Sequence, residues 1–115
     1  MNYPPLITID TAILLLFLHF IADYILQSYD VMLNKGKKLK VLAYHVCIYS
    51  LPFIVFFGLE YAIINALIHG VIDFFSSKIN NVLYEKENKK WFYTNIAFDQ
   101  FLHVSTLLLT YAWLF

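Results

Sequence analysis

The sequence has no arginine, one cysteine and few charged residues of either sign. Its cations are eight lysines, and eight carboxylates balance them to a net charge of zero at pH 7. A neutral chain lacks the basic surface on which nucleic-acid binding depends, so nucleic acid is excluded as an expected partner. Cys47 has no second cysteine with which to form an intramolecular disulfide. Charged residues make up 14% of the chain, against about a quarter in ordinary soluble domains.

Apolar residues take the place of the missing charge. The chain is 61% hydrophobic and 19% aromatic, and a soluble domain of 115 residues could not bury that much apolar surface in its own core. Four apolar stretches, at approximately 6–29, 41–59, 61–84 and 91–115, are each near the roughly 20 residues that cross a bilayer as a helix. The sequence therefore predicts an all-α polytopic membrane protein, a four-transmembrane-helix bundle that forms a single transmembrane domain over residues 1–115.

The lysines indicate how this bundle is oriented. Seven of the eight lie in two connections, at 35–40 and 86–90, whereas the turn at Gly58 and both ends of the chain carry none. Cytoplasmic loops of membrane proteins are enriched in lysine and arginine. We therefore expect both lysine loops in the cytoplasm and both termini outside.

Polar residues recur at a spacing of four inside the apolar stretches, which places them on one face of each helix. Every histidine of the chain lies inside an apolar stretch, and an aspartate near the middle of a membrane helix costs about 2.5–3.5 kcal/mol on insertion scales. Such residues are candidates for function. The first stretch carries His19, Asp23 and Gln27, the second His45, the third Asn65, His69 and Asp73, and the fourth Asn95, Asp99, Gln100 and His103.

The mixture of imidazoles and carboxylates is typical of a metal site for zinc, manganese or iron. The four histidines and three aspartates on these helix faces suit one ion with an open position, or two ions that share a carboxylate. A metal-free proton or ion relay and simple polar contacts between helices are the alternatives. The predicted ligands are His19, Asp23, His45, His69, Asp73, Asp99 and His103, with Gln27, Asn65, Asn95 and Gln100 orienting them from outside.

The same motifs, in the same order, resemble the family called domain of unknown function 3307 (DUF3307). The residues that carry the resemblance are His19-Phe-Ile-Ala-Asp23-Tyr-Ile-Leu-Gln27, Lys35, His45, His69-Gly-Val-Ile-Asp73 and Asp99-Gln100-Phe-Leu-His103. The resemblance implies a small membrane protein of bacteria or phages, and hence the bacterial inner membrane, but no activity. A looser similarity, in residue types and architecture, is to the membrane-bound metal-dependent hydrolases.

Our leading hypothesis from the sequence is a metal-dependent hydrolase that acts from the cytoplasmic side on a lipid or lipid-linked phosphoester or acyl bond. Asp23, Asp73 and Asp99 would share the metal, with one of them as general base. Lys35 would attract a phosphate-bearing headgroup. Membrane lipids and a lipid-linked substrate are the expected partners, and a homo-oligomer is compatible with the short helices. The alternatives are transport of a divalent metal or protons, and a small membrane accessory protein.

Overall fold

The computed structural model describes residues 7–115, whose regular structure is entirely helical. This confirms the predicted all-α class, and the described residues include no strand. The helices are α1 (Ile9–Phe20), a π-helical segment (Ile21–Ile25), α2 (Tyr29–Asn34), α3 (Leu39–Phe57), α4 (Leu59–Glu85) and α5 (Lys89–Leu114).

The three long helices α3, α4 and α5 form the body of the protein, and they pack against one another more extensively than any other elements. Gly58 separates α3 from α4 and has a φ of +95°. Residues other than glycine adopt this backbone conformation only with strain. Asn88 caps α5 by accepting a hydrogen bond from the backbone N–H of Trp91. These short connections make neighbouring helices antiparallel, as the apolar stretches predict.

The structure divides the helix that the sequence predicts over residues 6–29; its first residue lies outside the described chain. In the π-helical segment the N–H of Leu26 donates to the carbonyl of Ile21, five residues back. The chain then leaves the helix, and Ser28 starts α2 by accepting a hydrogen bond from the N–H of Val31. Such π turns are uncommon and frequently lie at functional sites.

The connection between α2 and α3 folds back onto α4. A Cβ atom on Gly36 would lie 2.8 Å from the amide nitrogen of Asn81 and 2.9 Å from Cβ of Ser77. Only glycine permits this close approach, and it brings Lys35 to the face of α4 that carries Asp73.

An apolar core fills the end of the bundle where α3 meets α4 and where α5 finishes. Aromatic side chains from α3 and α4 contribute much of it. Its buried members are Leu15, Leu18, Ala22, Tyr49, Phe53, Tyr61, Ala62 and Leu107.

Two of the helices, α3 and α4, are long and apolar enough to cross a membrane, with mean hydropathies of 1.7 and 1.3. Only 22% and 33% of the residues in their apolar windows are buried inside the structure. A core helix of a soluble protein would bury most of that surface, so both helices leave wide apolar faces uncovered. This supports association with a membrane.

Candidate metal centre

The buried histidines and aspartates meet where four helical segments come together. None of the seven is more than 8% exposed, although charged side chains are almost never buried unless they are paired. His19 comes from α1, Asp23 from the π-helical segment, His45 from α3, His69 and Asp73 from α4, and Asp99 and His103 from α5.

A first group of four side chains, Asp23, His45, His69 and Asp73, points its ligand atoms at one position. The His45 Nε2 atom lies 3.0 Å from Asp23 Oδ1, 3.0 Å from His69 Nε2 and 3.3 Å from Asp73 Oδ2. The His69 Nε2 atom lies 3.5 Å from Asp23 Oδ1 and 3.0 Å from Asp73 Oδ2. All four side chains offer ligand atoms within 4.8 Å of one another.

These distances match a tetrahedral metal site. Nitrogen and oxygen ligands at about 2.0–2.1 Å from a tetrahedral zinc lie about 3.3–3.4 Å from each other. The five distances of the first group are 3.0–3.5 Å, and the three at 3.0 Å are also ordinary for hydrogen bonds. The first group is therefore a geometric candidate for a metal site.

A second group, Asp73, Asp99 and His103, adjoins the first. The His103 Nε2 atom lies 3.0 Å from Asp73 Oδ1 and 3.2 Å from Asp99 Oδ1. Asp73 thus belongs to both groups, with one oxygen facing each. Lys35 adds a positive charge on the side of the first group, because its Nζ atom lies 3.2 Å from Asp73 Oδ2, the oxygen that His45 and His69 face.

The two imidazoles of α4 and α5 are held in a stack of rings. The His69 ring lies 3.8 Å from the Tyr49 ring at an interplanar angle of 17°, and 4.0 Å from the His103 ring at 27°. Stacked rings have little rotational freedom in a packed interior. The two Nε2 atoms are therefore presented side by side to the Asp73 carboxylate.

Gln100 links the outer oxygens of two aspartates. Its amide nitrogen lies 3.2 Å from Asp23 Oδ2 and 3.1 Å from Asp99 Oδ2, and ionised carboxylates only accept hydrogen bonds. The amide oxygen of Gln100 therefore accepts a hydrogen bond from His19 Nε2 at 2.8 Å. It follows that Tyr49 donates its hydroxyl hydrogen to His19 Nδ1 at 3.0 Å. These hydrogen bonds use only the Oδ2 atoms, so the Oδ1 atoms of Asp23 and Asp99 face the two groups.

The structure brings six of the seven predicted ligands into the two groups. His19 lies outside both, because Tyr49 and Gln100 occupy its two ring nitrogens. It orients Gln100 in the structure, whereas the sequence predicts that it binds the metal directly.

The four predicted orienting amides have different surroundings. Only Gln100 forms hydrogen bonds to the cluster. Asn65 bonds to Thr110, and Asn95 to Asn80 and the carbonyl of Ser76, so both join α4 to α5 away from the metal groups. Gln27 lies in the break after the π-helical segment, and its buried amide oxygen has no hydrogen-bond partner within residues 7–115.

One contributor was missed by the sequence reasoning. Tyr49 both stacks on His69 and orients His19. Its signal is the spacing of four from His45, which puts the two side chains on one face of α3.

The fold and the cluster define a class of protein, an all-helical chain with membrane-length apolar helices around a buried site of histidines and aspartates. Within that class, the family model described as protein of unknown function (DUF3307) matches residues 11–115, and the chain belongs to this family. A search of curated proteins and a search of solved structures found no match. Nothing in the comparisons supports the looser similarity to metal-dependent hydrolases.

Proposed function

We propose that this protein is a membrane-embedded metal-dependent hydrolase that cleaves an ester bond of a lipid or lipid-linked molecule. The observation that carries the proposal is the first group, in which two histidines and two aspartates present four ligand atoms at the spacing of a tetrahedral site. Zinc, manganese and iron all accept nitrogen and oxygen ligands, and the tetrahedral spacing favours zinc.

The proposal includes a bundle in which four helical segments cross the membrane. Besides α3 and α4, the first segment runs helically from residue 9 to 25 and α5 from 89 to 114. Both expose large apolar side chains, among them Ile13 and Phe17 on α1 and Phe98, Phe101 and Leu109 on α5. A soluble monomer rarely exposes such continuous apolar surface.

The orientation follows from the lysine loops, which we place on the cytoplasmic side of a bacterial inner membrane, with both termini outside. Lys35 belongs to the first loop and reaches the cluster directly. We therefore expect substrate to approach from the cytoplasmic side, where Lys35 covers the cluster.

In the proposed reaction, the metal ion would activate water, and side chains of the protein would hold the ion and accept a proton. A bound ion would lower the pKa of a water molecule toward about 7 and polarise the ester. Asp23, His45, His69 and Asp73 would hold that ion. Because four ligands fill a tetrahedral site, water would reach the ion when one of the two carboxylates leaves it and accepts the proton of the attacking water. Lys35 stabilises negative charge that develops on the substrate.

The apolar core favours an enzyme over a transporter. The transport alternative requires a polar path from the cluster to the outer face of the membrane. Beyond the histidines, the buried core consists of Tyr49, Phe53, Tyr61, Ala62 and Leu107. The polar pair in this region, Asn65 and Thr110, bonds to itself and to backbone carbonyls. Because this packing closes the outer end, substrate and product are expected to use the cytoplasmic side alone.

A pair of variants tests the metal centre. We expect detergent-purified wild type to contain at least one divalent ion per chain, and His45→Ala to lose the ion of the first group, as measured by elemental mass spectrometry. Asn65→Ala is the matched control, because it removes an equally buried polar side chain that contacts Thr110 and not the cluster. Full metal content in His45→Ala would refute the assignment of the site.

Lipid hydrolysis is tested by a separate measurement of the products released. Proteoliposomes of bacterial phospholipids should release phosphate or fatty acid with wild type and the Asn65→Ala control. Release should stop with His45→Ala. Equal release from all three would show that the metal centre is not the site of hydrolysis.

A further inference from the structure

We infer that the cluster binds two divalent ions bridged by Asp73, and that this pair selects a phosphoester rather than an acyl ester as substrate. The inference rests on the proposed metal centre and specifies its substrate. It places the second ion in the second group, between Asp73, Asp99 and His103.

The first observation is the parallel arrangement of the two imidazoles. His69 and His103 stack at 4.0 Å, and each Nε2 atom faces a different oxygen of the Asp73 carboxylate at 3.0 Å. Metal pairs in hydrolytic enzymes lie about 3.5–4 Å apart. Two imidazoles stacked at that separation can serve one ion each, and the carboxylate between them can bridge both.

The second observation is an oxygen without a partner. Asp99 is 8% exposed, yet its Oδ1 atom has no hydrogen bond within residues 7–115. The nearby His103 Nε2 atom has at most one hydrogen, which Asp73 Oδ1 receives at 3.0 Å. A buried carboxylate oxygen that lacks a donor destabilises the folded protein. A cation beside Asp99 and His103 would remove that destabilisation.

The two groups differ in how complete they are. The first offers four ligand atoms, which fill a tetrahedral site, whereas the second offers three. Metal sites with three protein ligands keep a position open for water or substrate. The second position is therefore the one at which a substrate oxygen would bind.

Charge then selects the substrate. With neutral histidines, the three carboxylates and Lys35 leave the protein part of the cluster two negative charges in excess. One divalent ion balances that charge, whereas two leave the site with two positive charges in a region of low dielectric. A phosphomonoester dianion neutralises such a site, while an acyl ester brings no charge. Lys35, 3.2 Å from the bridging Asp73, adds a further contact for a phosphate oxygen.

The reaction that follows is hydrolysis of the phosphorus–oxygen bond. The oxygen of a water molecule bonds to phosphorus as the proton of that water passes to a carboxylate of the cluster. The bond from phosphorus to the lipid alcohol breaks, and its electron pair stays on the alcohol oxygen. This oxygen takes up the proton that the carboxylate received, and the second hydrogen of the water stays on the phosphate. One water therefore yields one alcohol and one inorganic phosphate.

Two histidine variants form a matched pair for the test, because His45 belongs only to the first group and His103 only to the second. Wild type, His45→Gln and His103→Gln would be purified in detergent, loaded with Mn²⁺ and measured for manganese per chain. Electron paramagnetic resonance would report whether the ions are coupled. Titration calorimetry would then compare inorganic phosphate with acetate as probes of the two product types, and circular dichroism would confirm that the variants fold.

We expect wild type to bind two manganese ions with the spectrum of a bridged pair, and to bind phosphate more tightly than acetate. His103→Gln should keep one uncoupled ion and bind phosphate roughly tenfold or more weakly. One ion in wild type that is unaffected by His103→Gln would overturn the inference and leave the metal-dependent hydrolase standing. Phosphate bound no more tightly than acetate would overturn the choice of substrate. No ion in any sample would refute both.

Discussion

Replacing Gln100 by leucine removes the one side chain within residues 7–115 that joins two of the cluster's aspartates to His19. Gln100 forms three hydrogen bonds, at 2.8, 3.1 and 3.2 Å, and two of them are to carboxylates. Leucine keeps most of the volume, but it leaves Asp23 Oδ2, Asp99 Oδ2 and the His19 Nε2–H without partners. The two aspartates can then rotate away from the metal positions.

The magnitude follows from what Gln100 holds in place. Partners that orient metal ligands typically change metal affinity by about 10–100-fold when they are removed. Because Gln100 orients one aspartate of each metal group, we expect Gln100→Leu to weaken metal binding by at least about tenfold. Competition against a chromophoric chelator would measure this, with metal per chain after dialysis as a second readout.

Asn95→Leu is the control that separates orientation from stability. Asn95 is the amide on α5 that bonds to Asn80 and the Ser76 carbonyl and does not contact the cluster. Its loss should lower the melting temperature and leave metal affinity unchanged. Equal metal affinity in wild type and Gln100→Leu would refute the reasoning that Gln100 positions the ligands.

Two further variants test the supports of the cluster separately. Tyr49→Phe removes the hydrogen bond to His19 but keeps the ring that stacks on His69. We expect the free energy of unfolding to fall by about 0.5–1.5 kcal/mol and the metal to be retained. Complete metal loss would show that the hydroxyl does more than orient His19. Gly36→Ala places a methyl group against Asn81 and Ser77, so the loop must move away from α4 and withdraw Lys35 from Asp73. Phosphate affinity should then fall while metal content stays constant. Unchanged phosphate affinity by calorimetry would contradict a role for the Gly36 contact.

The sequence predicts the helical class and the residues of the cluster because both depend on local spacing. The stripes on α4 and α5 have a spacing of four within unbroken helices, so His69 and Asp73, like Asp99 and His103, do share a face. The bounds of α3, α4 and α5 lie within two residues of the predicted ones. Wherever the helix is regular, counting along the chain is sufficient.

The first stretch shows where counting is insufficient. The π-helical segment has a hydrogen bond between residues five positions apart, which the sequence of Ile21–Ile25 does not predict. The next helix begins at Tyr29, with Ser28 as its N-cap. Gln27 therefore leaves the face on which a regular helix would put it. The function of His19 depends on Gln100, which lies 81 positions away in the sequence. Only the packing of α1 against α5 reveals that contact.

The pattern of paired and unpaired oxygens also separates a binding site from polar contacts that merely join helices. Asp23 and Asp73 have partners on both oxygens, and Gln100 serves Asp99 Oδ2. A cluster that only joined helices would gain stability from a donor at the remaining oxygen as well, since an unsatisfied buried acceptor costs about 1–3 kcal/mol. Among the aspartate oxygens of the cluster, Asp99 Oδ1 is the one without a donor in residues 7–115, and it belongs to the group that has three ligands. The ring nitrogens His69 Nδ1 and His103 Nδ1 lack partners as well. An unsatisfied carboxylate oxygen therefore coincides with the incomplete coordination, which is the arrangement expected where a cation and its substrate enter.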